Sequence, residues 1–240
     1  MKGIILAGGK GTRLMPCTKV TNKHLLPVYD KPMIYYPIDT FVKAGITDIL
    51  VVTGAESAGD FMNLLGDGSE FGVEFTYKLQ RRSGGIAEAL SLGKNFMGSS
   101  KDAVAVMLGD NIFEDDFSKE ILEYDKEHYM AKVFLKEVED PERFGVASIE
   151  DDRITKIVEK PKNPETKLAV TGLYLYNGAI WHIIDSLKPS DRDELEITDV
   201  NNWYVEKGIM TYSFVKGFWS DAGTPDSLHF ASSFIKGKKN

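Results

Sequence analysis

The stretch MKGIILAGGKGTRL (residues 1–14) contains a short apolar run that leads directly into a glycine-rich turn. The apolar run predicts a buried strand, and Gly8, Gly9 and Gly11 follow it, with Arg13 behind them. Glycines placed directly after a buried strand let the backbone approach a phosphate closely and point its N–H groups at it. The stretch therefore predicts an anion-binding turn at the end of the first strand.

Two known phosphate-binding templates do not fit this turn. A P-loop requires a lysine where Gly9 stands, and a dinucleotide-binding loop requires a third glycine where Leu14 stands. What remains is a glycine turn followed by two cations, Arg13 and Lys23. Arginine binds phosphate as a fork, whereas lysine acts as a point charge. A tight turn with two solvated cations stays open as an alternative.

The composition is that of an ordinary globular chain of 240 residues, with 42% apolar and 27% charged residues. A net charge of −7 argues against a general affinity for nucleic acid or anionic membrane, because both need a basic face. Cys17 is the only cysteine, which predicts a reducing compartment and no internal disulfide. Neither a signal-peptide pattern nor an apolar run of about 20 residues is present, so we expect a cytoplasmic protein with no membrane partner.

Strand-like and helix-like segments alternate through the first half of the chain. The predicted strands are 2–7, 48–54, 73–80 and 103–111, and the predicted helices are 32–45, 59–68 and 84–96. This alternation predicts parallel strands joined by right-handed crossovers, with helices on both faces of the sheet.

The second half is richer in strands. Strands are predicted at 131–138, 145–149, 153–160, 169–176 and 209–215, and helices at 178–187, 196–208 and 225–236, followed by a frayed tail. We therefore expect a single α/β domain over residues 1–240. Its Rossmann-like, mixed and mostly parallel sheet would be flanked by helices, with a strand-rich insertion over the carboxyl ends of the strands.

A series of motifs resembles the sugar-phosphate nucleotidylyltransferases, in their short form. The motifs occur in the family's order over nearly the whole chain: LAGGKGTRL, NKHLLPV, KPMIYYPI, QRRSGGIAEAL, LGDNIF, DPERFGV, VEKPKNP, AVTGLYLY, ELEITDVN and WSDAGT. The resemblance implies a nucleotide-binding half of about residues 1–130 and a sugar-binding half of about 131–240. It also implies transfer of a thymidylyl group from dTTP to glucose 1-phosphate, in a homo-oligomer (a tetramer) that supplies the synthesis of rhamnose or another deoxysugar.

Two aspartates are the candidate metal ligands. Asp110 follows a buried strand, at the sheet edge where ligands bind in open α/β folds, and Asp221 follows another apolar strand. Carboxylates at such a place suit Mg²⁺, which takes few protein oxygens and completes its shell with phosphate and water. Each aspartate alone could equally be a capping or turn residue, and the resemblance assigns both as magnesium ligands.

The resemblance implies a reaction in which a sugar 1-phosphate attacks the α-phosphorus of a nucleoside triphosphate. Because the nucleophile is already ionised, no general base is needed, and the barrier is largely electrostatic. The expected catalytic residues are Arg13, Lys23, Asp110 and Asp221, with Arg13 near the leaving pyrophosphate and Lys23 near the α-phosphate.

The nucleotide is expected at the glycine turn and at Gln80, whose amide matches the N3–H and O4 edge of thymine or uracil. By resemblance the nucleotide-binding residues are Leu6, Gly8, Gly9, Gly11, Thr12, Arg13, His24, Gln80 and Gly85. The sugar phosphate is expected at Asn111, Gly145, Glu159, Lys160, Val170, Thr171, Gly172, Tyr174 and Arg192. A surface glutamine and an exposed Glu-Lys-Pro turn remain the alternatives for Gln80 and for the Glu159–Lys160 pair.

Two positions depart from the family pattern. His24 stands where the family often has glutamine, which puts its nucleotide contact in question. Asp193 stands where the family often has glycine, and an extra carboxylate beside Arg192 would weaken its attraction for phosphate.

Two other functions stay open at this point. One keeps the mechanism but uses UTP or another hexose 1-phosphate. The other is a non-catalytic nucleotide-sugar-binding subunit, which the presence of all four expected catalytic residues disfavours.

Overall fold

A central mixed sheet organises the molecule. The computed structural model describes residues 1–98, 102–127 and 131–239, and nine strands of this described part form the sheet. In chain order the strands are β1 (Lys2–Ala7), β2 (Pro27–Val28), β3 (Lys31–Pro32), β4 (Asp48–Gly54), β5 (Glu74–Gln80), β6 (Val104–Leu108), β7 (Ile112–Phe113), β8 (Ala131–Glu137), β9 (Gly145–Glu150), β10 (Arg153–Glu159), β11 (Leu168–Tyr176), β12 (Met210–Phe214) and β13 (Trp219–Ser220). The helices are α1 (Tyr35–Lys43), α2 (Ala58–Leu65), α3 (Ile86–Ser91), α4 (Ser118–Glu127), α5 (Ile180–Ser186), α6 (Ile197–Glu206) and α7 (Pro225–Lys239).

The first half supplies a parallel layer in the order β6-β1-β4-β5. Successive residues of β1 point to opposite faces, so Ile4 and Leu6 pack with α3, α5 and α6, whereas Ile5 and Ala7 pack with α1, α2 and α4. All four side chains are buried, as expected for a parallel sheet covered by helices on both faces. The predicted α/β fold with a mixed sheet between helices is confirmed.

The second half divides the sheet at β11. This strand pairs with β8 along one side, whereas β6 and β9 share its other side. The register of β11 against β8 shifts between Val170 and Tyr174, which marks a bulge. Residues at the end of β6, at the start of β9 and in the shifted stretch of β11 line a common cavity.

Several local predictions need correction. The helix α4 and the short strands β2 and β7 lie in segments where no element is predicted, and β3 (Lys31–Pro32) overlaps the start of the predicted helix 32–45, which begins only at Tyr35. The prediction of a frayed tail is wrong for the described residues, because α7 continues to Lys239. The predicted boundary between the two halves, near residue 130, lies outside the described residues. Among the helices of the described part, none has the length and apolarity needed to cross a membrane.

Candidate active site

Asp110 lies just beyond the carboxyl end of β6. The N–H of Gly109 donates to the carbonyl of Leu6 at 2.9 Å, which ties this end of β6 to the end of β1. Asp110 is 8% exposed and forms an ion pair with Lys23, and it also accepts a hydrogen bond from Asn111 at 3.0 Å. Burial by itself would raise the pKa of this carboxyl, but Lys23, His24 and Asn111 lower it below its usual value. The side chain is therefore a carboxylate at neutral pH.

Asp221 reaches the same place through the two-residue strand β13. β13 pairs antiparallel with β7, which begins directly after Asn111, and Ser220 lies opposite Ile112. Asp221 follows Ser220, so the register of this ladder brings Asp221 to the level of Asn111. Asp110 and Asp221 both line one cavity of about 320 Å³.

A second cation holds Asp221. Arg143 donates to Asp221 Oδ2 at 2.5 Å and to Asp140 Oδ2 at 2.6 Å. The guanidinium of Arg13 is close by, because a Cβ placed on Gly223 would lie 3.0 Å from Arg13 Nη2 and 3.1 Å from Asp221 Oδ2. This end of the cavity thus places two carboxylates, Asp110 and Asp221, among three cations, which are Lys23, Arg13 and Arg143.

This donor set is small but suits a magnesium ion. Within residues 1–98, 102–127 and 131–239 no group of three or more His, Cys, Asp or Glu side chains could hold a metal. Mg²⁺ is commonly held by one or two carboxylates, with phosphate and water completing its octahedron. Asp110 and Asp221 fit that pattern, because both are acceptor-only oxygens at the edge of a cavity large enough for a phosphate.

His24 is buried, with 1% of its surface exposed. Its Nδ1 lies 2.7 Å from Asn22 Oδ1, and its backbone N–H donates to the same oxygen at 3.0 Å. Burial lowers the pKa of His24 to about 3, and the positive charge of Lys23 adds to this effect, whereas Asp110 and the Ala7 carbonyl oppose it. The ring is therefore neutral at the wall of the cavity.

Gln80 ends β5 and lies against the glycine turn. A Cβ placed on Gly8 would overlap with Gln80 Oε1, so a side chain at position 8 would displace the end of the Gln80 side chain. Gly85 has a φ of 97°, and a Cβ there would overlap with the carbonyl of Leu195. Glycine is therefore required at position 85, where both the backbone conformation and the Leu195 backbone exclude a side chain.

The other end of the cavity is a network of charges. Glu159 Oε1 lies 3.1 Å from Arg192 Nη2 and 3.3 Å from Lys160 Nζ, and Thr198 donates to Glu159 Oε2 at 2.5 Å. Glu196 binds Arg192 through two hydrogen bonds, at 3.1 and 2.8 Å. The carboxylate closest to Arg192 is thus Glu196, whereas the sequence drew attention to Asp193.

Asn111 connects the cavity to the bulge of β11. Its Oδ1 accepts from the Gly172 N–H at 2.8 Å and from Trp219 Nε1 at 2.7 Å. A Cβ placed on Gly172 would lie 2.5–2.6 Å from the Asn111 amide, so glycine is required here as well. Tyr174 lies nearby with 3% of its surface exposed, and its burial raises the pKa of its hydroxyl.

Most of the expected site residues line this cavity. They are Leu6, Gly8, Gly9, Arg13, Lys23, His24, Gln80, Gly85, Asp110, Asn111, Gly145, Glu159, Lys160, Val170, Gly172, Tyr174, Arg192 and Asp221. Gly11, Thr12 and Thr171 do not line it. Gly11 shapes the turn with a φ of 59°, Thr12 is exposed, and the buried Thr171 hydroxyl donates to the Phe134 carbonyl at 2.9 Å.

The sequence reasoning missed several cavity residues. These include Ser83, Arg143, Phe144, Glu196, Thr198, Asn201 and Trp219. Arg143 lies in DPERFGV, and Glu196 and Thr198 lie in ELEITDVN, so the motifs that carry the resemblance already contained the signal.

The cavity combines cations with carboxylates at the carboxyl ends of parallel strands, which is where open α/β sheets bind their ligands. The model of the nucleotidyl transferase family matches residues 2–238, and the chain belongs to this family of enzymes. A glucose-1-phosphate thymidylyltransferase of Neisseria meningitidis serogroup A is 47% identical over all of this chain and 84% of its own length. The enzyme of that name from Xanthomonas campestris pv. campestris (strain B100) is 45% identical over 98% of this chain and 80% of its own length.

Solved structures agree with this assignment. A Bacillus anthracis protein, itself provisionally assigned as a glucose-1-phosphate thymidylyltransferase and solved with a sucrose, superimposes with a TM-score of 0.94. It is 52% identical, and the match covers 98% of this chain and 95% of that one. A UDP-glucose pyrophosphorylase complexed with UDP-glucose gives a TM-score of 0.84 at 27% identity, over 99% of this chain and 98% of that one.

Proposed function

We propose that the chain transfers a thymidylyl group from dTTP to α-D-glucose 1-phosphate, giving dTDP-glucose and pyrophosphate. The observation that carries this proposal is the cavity, where two carboxylates and three cations meet at the carboxyl ends of the strands. The naming of relatives that are 45–47% identical over nearly the whole chain supports the choice of nucleotide and sugar.

The chemistry needs charge stabilisation more than proton transfer. A phosphate oxygen of the sugar 1-phosphate forms a bond to the α-phosphorus, and the bond from that phosphorus to the bridging oxygen of the β-phosphate breaks. The leaving pyrophosphate takes the electron pair. Because two anions must approach each other, preorganised cations provide most of the stabilisation.

Each cation has a proposed place in this reaction. Arg13 stands at the glycine turn and would stabilise the negative charge that develops on the leaving pyrophosphate. Lys23, which is paired with Asp110, would contact the α-phosphate. Lys160 and Arg192, at the far end of the cavity, would bind the phosphate of the sugar, with Glu159 accepting from sugar hydroxyls.

Enzymes of this family generally use a divalent metal ion. We propose Mg²⁺ in this chain, held by Asp110 and Asp221. When bound, it would neutralise charge on the reacting phosphates. Lys23 and Arg143 hold Asp110 and Asp221, respectively, in ion pairs at the cavity wall.

The test is a pyrophosphate-release assay over a grid of nucleotides and sugar phosphates, with and without Mg²⁺. We expect the highest kcat/KM with dTTP and glucose 1-phosphate. UTP should react about 10–200-fold less efficiently, because only one methyl group separates the two bases. If the enzyme clearly preferred UTP, then UTP would take the place of dTTP in the proposed reaction. Binding of dTTP without pyrophosphate release under any condition would refute the proposed function.

The Asp110→Asn variant tests the catalytic assignment in the same assay. Loss of one such charge costs about 10²–10³-fold in rate, so turnover should nearly vanish while the fold survives. Asp185→Asn is the matched control, since Asp185 pairs with Lys94 on the surface and does not line the cavity. Near-normal kcat in Asp110→Asn would remove this residue from the mechanism.

A further inference from the structure

The orientation of the Gln80 amide decides which base edge the cavity accepts. An amide presents either an acceptor oxygen or a donor NH₂, and the hydrogen-bond partners determine which of the two faces a ligand. Gln80 Nε2 donates to Glu88 Oε2 at 2.9 Å and to the Gly85 carbonyl at 3.3 Å. Because a carboxylate can only accept, the nitrogen must face Glu88.

The amide oxygen is therefore the group that remains for a ligand. Gln80 Oε1 lies against Gly8 at the cavity wall, and it accepts no hydrogen bond from residues 1–98, 102–127 or 131–239. Both hydrogens of the NH₂ group are directed away, toward Glu88 and Gly85. Gln80 thus offers the cavity one acceptor and no donor, so the expectation that its amide matches both N3–H and O4 of the base is corrected: only the match to N3–H remains.

Glu88 is itself fixed in place. It lies in the first turn of α3, where its Oε2 also accepts from the Gly84 N–H at 3.0 Å and its Oε1 accepts from Arg82 Nε at 2.8 Å. A Cβ placed on Gly84 would overlap with the Glu88 carboxylate, so a side chain at position 84 would displace that carboxylate. Burial by itself would raise the pKa of Glu88, but the hydrogen bonds from Gln80, Arg82 and Gly84 lower it. The carboxyl therefore stays ionised at neutral pH.

We propose that Glu88 is a positioning residue for base selection, which turns the Gln80 amide so that its oxygen faces the base and selects a pyrimidine with an N–H at ring position 3. Thymine and uracil carry that N–H. Cytosine carries a lone pair there, so two acceptors would face each other, and a buried acceptor without a donor is costly. This proposal rests on the proposed function, in which Gln80 faces the base of the nucleotide.

The test compares Glu88→Met with Glu88→Gln. Methionine has a similar length but offers no strong acceptor, so the Gln80 amide becomes free to turn. Glutamine keeps an oxygen that can accept from Gln80, so it should restore the wild-type orientation. For each protein, kcat/KM is measured with dTTP and with dCTP, and the two dissociation constants are measured by calorimetry.

We expect the ratio of kcat/KM for dTTP to kcat/KM for dCTP to fall by about 10–100-fold in Glu88→Met. In Glu88→Gln this ratio should stay near its wild-type value. The change should appear in KM and in the dissociation constants, with kcat for dTTP little altered. If Glu88 served only to cap α3, the binding of dTTP and of dCTP would weaken together, and the ratio of their kcat/KM values would stay unchanged. Glu74→Met is the control, since Glu74 is exposed at the other end of β5.

An unchanged ratio in Glu88→Met would overturn the proposal, and so would a ratio in Glu88→Gln that falls as far as in Glu88→Met. Glu88→Ala replaces Glu88→Met if circular dichroism shows that the methionine variant is unfolded. Failure of the proposed function is distinguishable, because wild-type protein would then release no pyrophosphate from any nucleotide. The binding ratio from calorimetry would still test Glu88 in that case.

Discussion

The buried His24 should make the folded state sensitive to mild acid. Its folded pKa of about 3 lies below the ordinary value of 6.5, because burial and Lys23 disfavour the imidazolium. The unfolded chain therefore binds a proton that the folded chain rejects, at any pH between these two values. The contribution of His24 to the free energy of unfolding is fully present above about pH 7 and is lost as the pH drops through 6.5 toward 3.

The size of this effect follows from the two pKa values. At pH 5 the unfolded imidazole is almost fully protonated and the folded one is almost fully neutral. The free energy of unfolding should therefore fall by about 2 kcal/mol between pH 7 and pH 5 on account of His24 alone. A folded pKa one unit higher would change this figure little, because it would still lie below pH 5.

The assay is urea unfolding, followed by tryptophan fluorescence at pH 7 and at pH 5, of wild type and His24→Gln. Contributions from all other groups cancel in the comparison. Whatever the absolute stability of His24→Gln, its free energy of unfolding should fall less between pH 7 and pH 5 than that of wild type, by the amount that His24 contributes. His182→Gln, which removes an exposed imidazole and leaves His24 in place, should behave as wild type. If His24→Gln and wild type lose the same free energy between the two pH values, the reasoning about His24 is refuted.

Two glycine substitutions should have opposite outcomes. Gly172→Ala places a Cβ 2.5–2.6 Å from the Asn111 amide. We therefore expect the free energy of unfolding in urea to fall by about 1–3 kcal/mol and kcat to drop at least tenfold. Wild-type behaviour would show that Asn111 can move freely. Gly59 lies in α2, and a Cβ placed on it would meet nothing within 4 Å. The urea midpoint of Gly59→Ala should therefore rise by an amount equivalent to about 0.5 kcal/mol, with kcat unchanged. A lower midpoint would contradict the difference in helix propensity between glycine and alanine.

Local patterns in the sequence account for much of the fold and for part of the site. An apolar run followed by glycines predicts β1 and the turn, and the polar residues after β6 predict a ligand-binding edge at Asp110. These predictions succeed because each depends on neighbouring residues. The helix α4 escapes the same reasoning, because its segment is mostly charged and only Ile121 and Tyr124 enter the core from its described side chains.

The parts that the sequence does not reveal depend on distant segments. β7 and β13 are two residues long each, too short to show an alternating pattern that would predict their pairing, and this pairing joins chain segments more than a hundred residues apart. The ion pair between Arg143 and Asp221 is equally non-local. The orientation of Gln80 requires Glu88 to be in place, and a single sequence contains no information on which amide atom faces the cavity.

Asn111 links the two halves of the chain at the site. Its Oδ1 accepts from Gly172 in the bulge of β11 and from Trp219 in β13, so both lone pairs are used, and its Nδ2 donates to Asp110. Gly172 lies in the stretch of β11 where the register against β8 shifts, and it borders the cavity together with Asn111. The Asn111 amide is thus held by β11 and β13 and in turn donates to the Asp110 carboxylate, so the orientation of that carboxylate depends on both strands. The carboxylates can be held toward a common point only when both halves are folded, because the contacts that orient Asp110 come from the second half as well as the first.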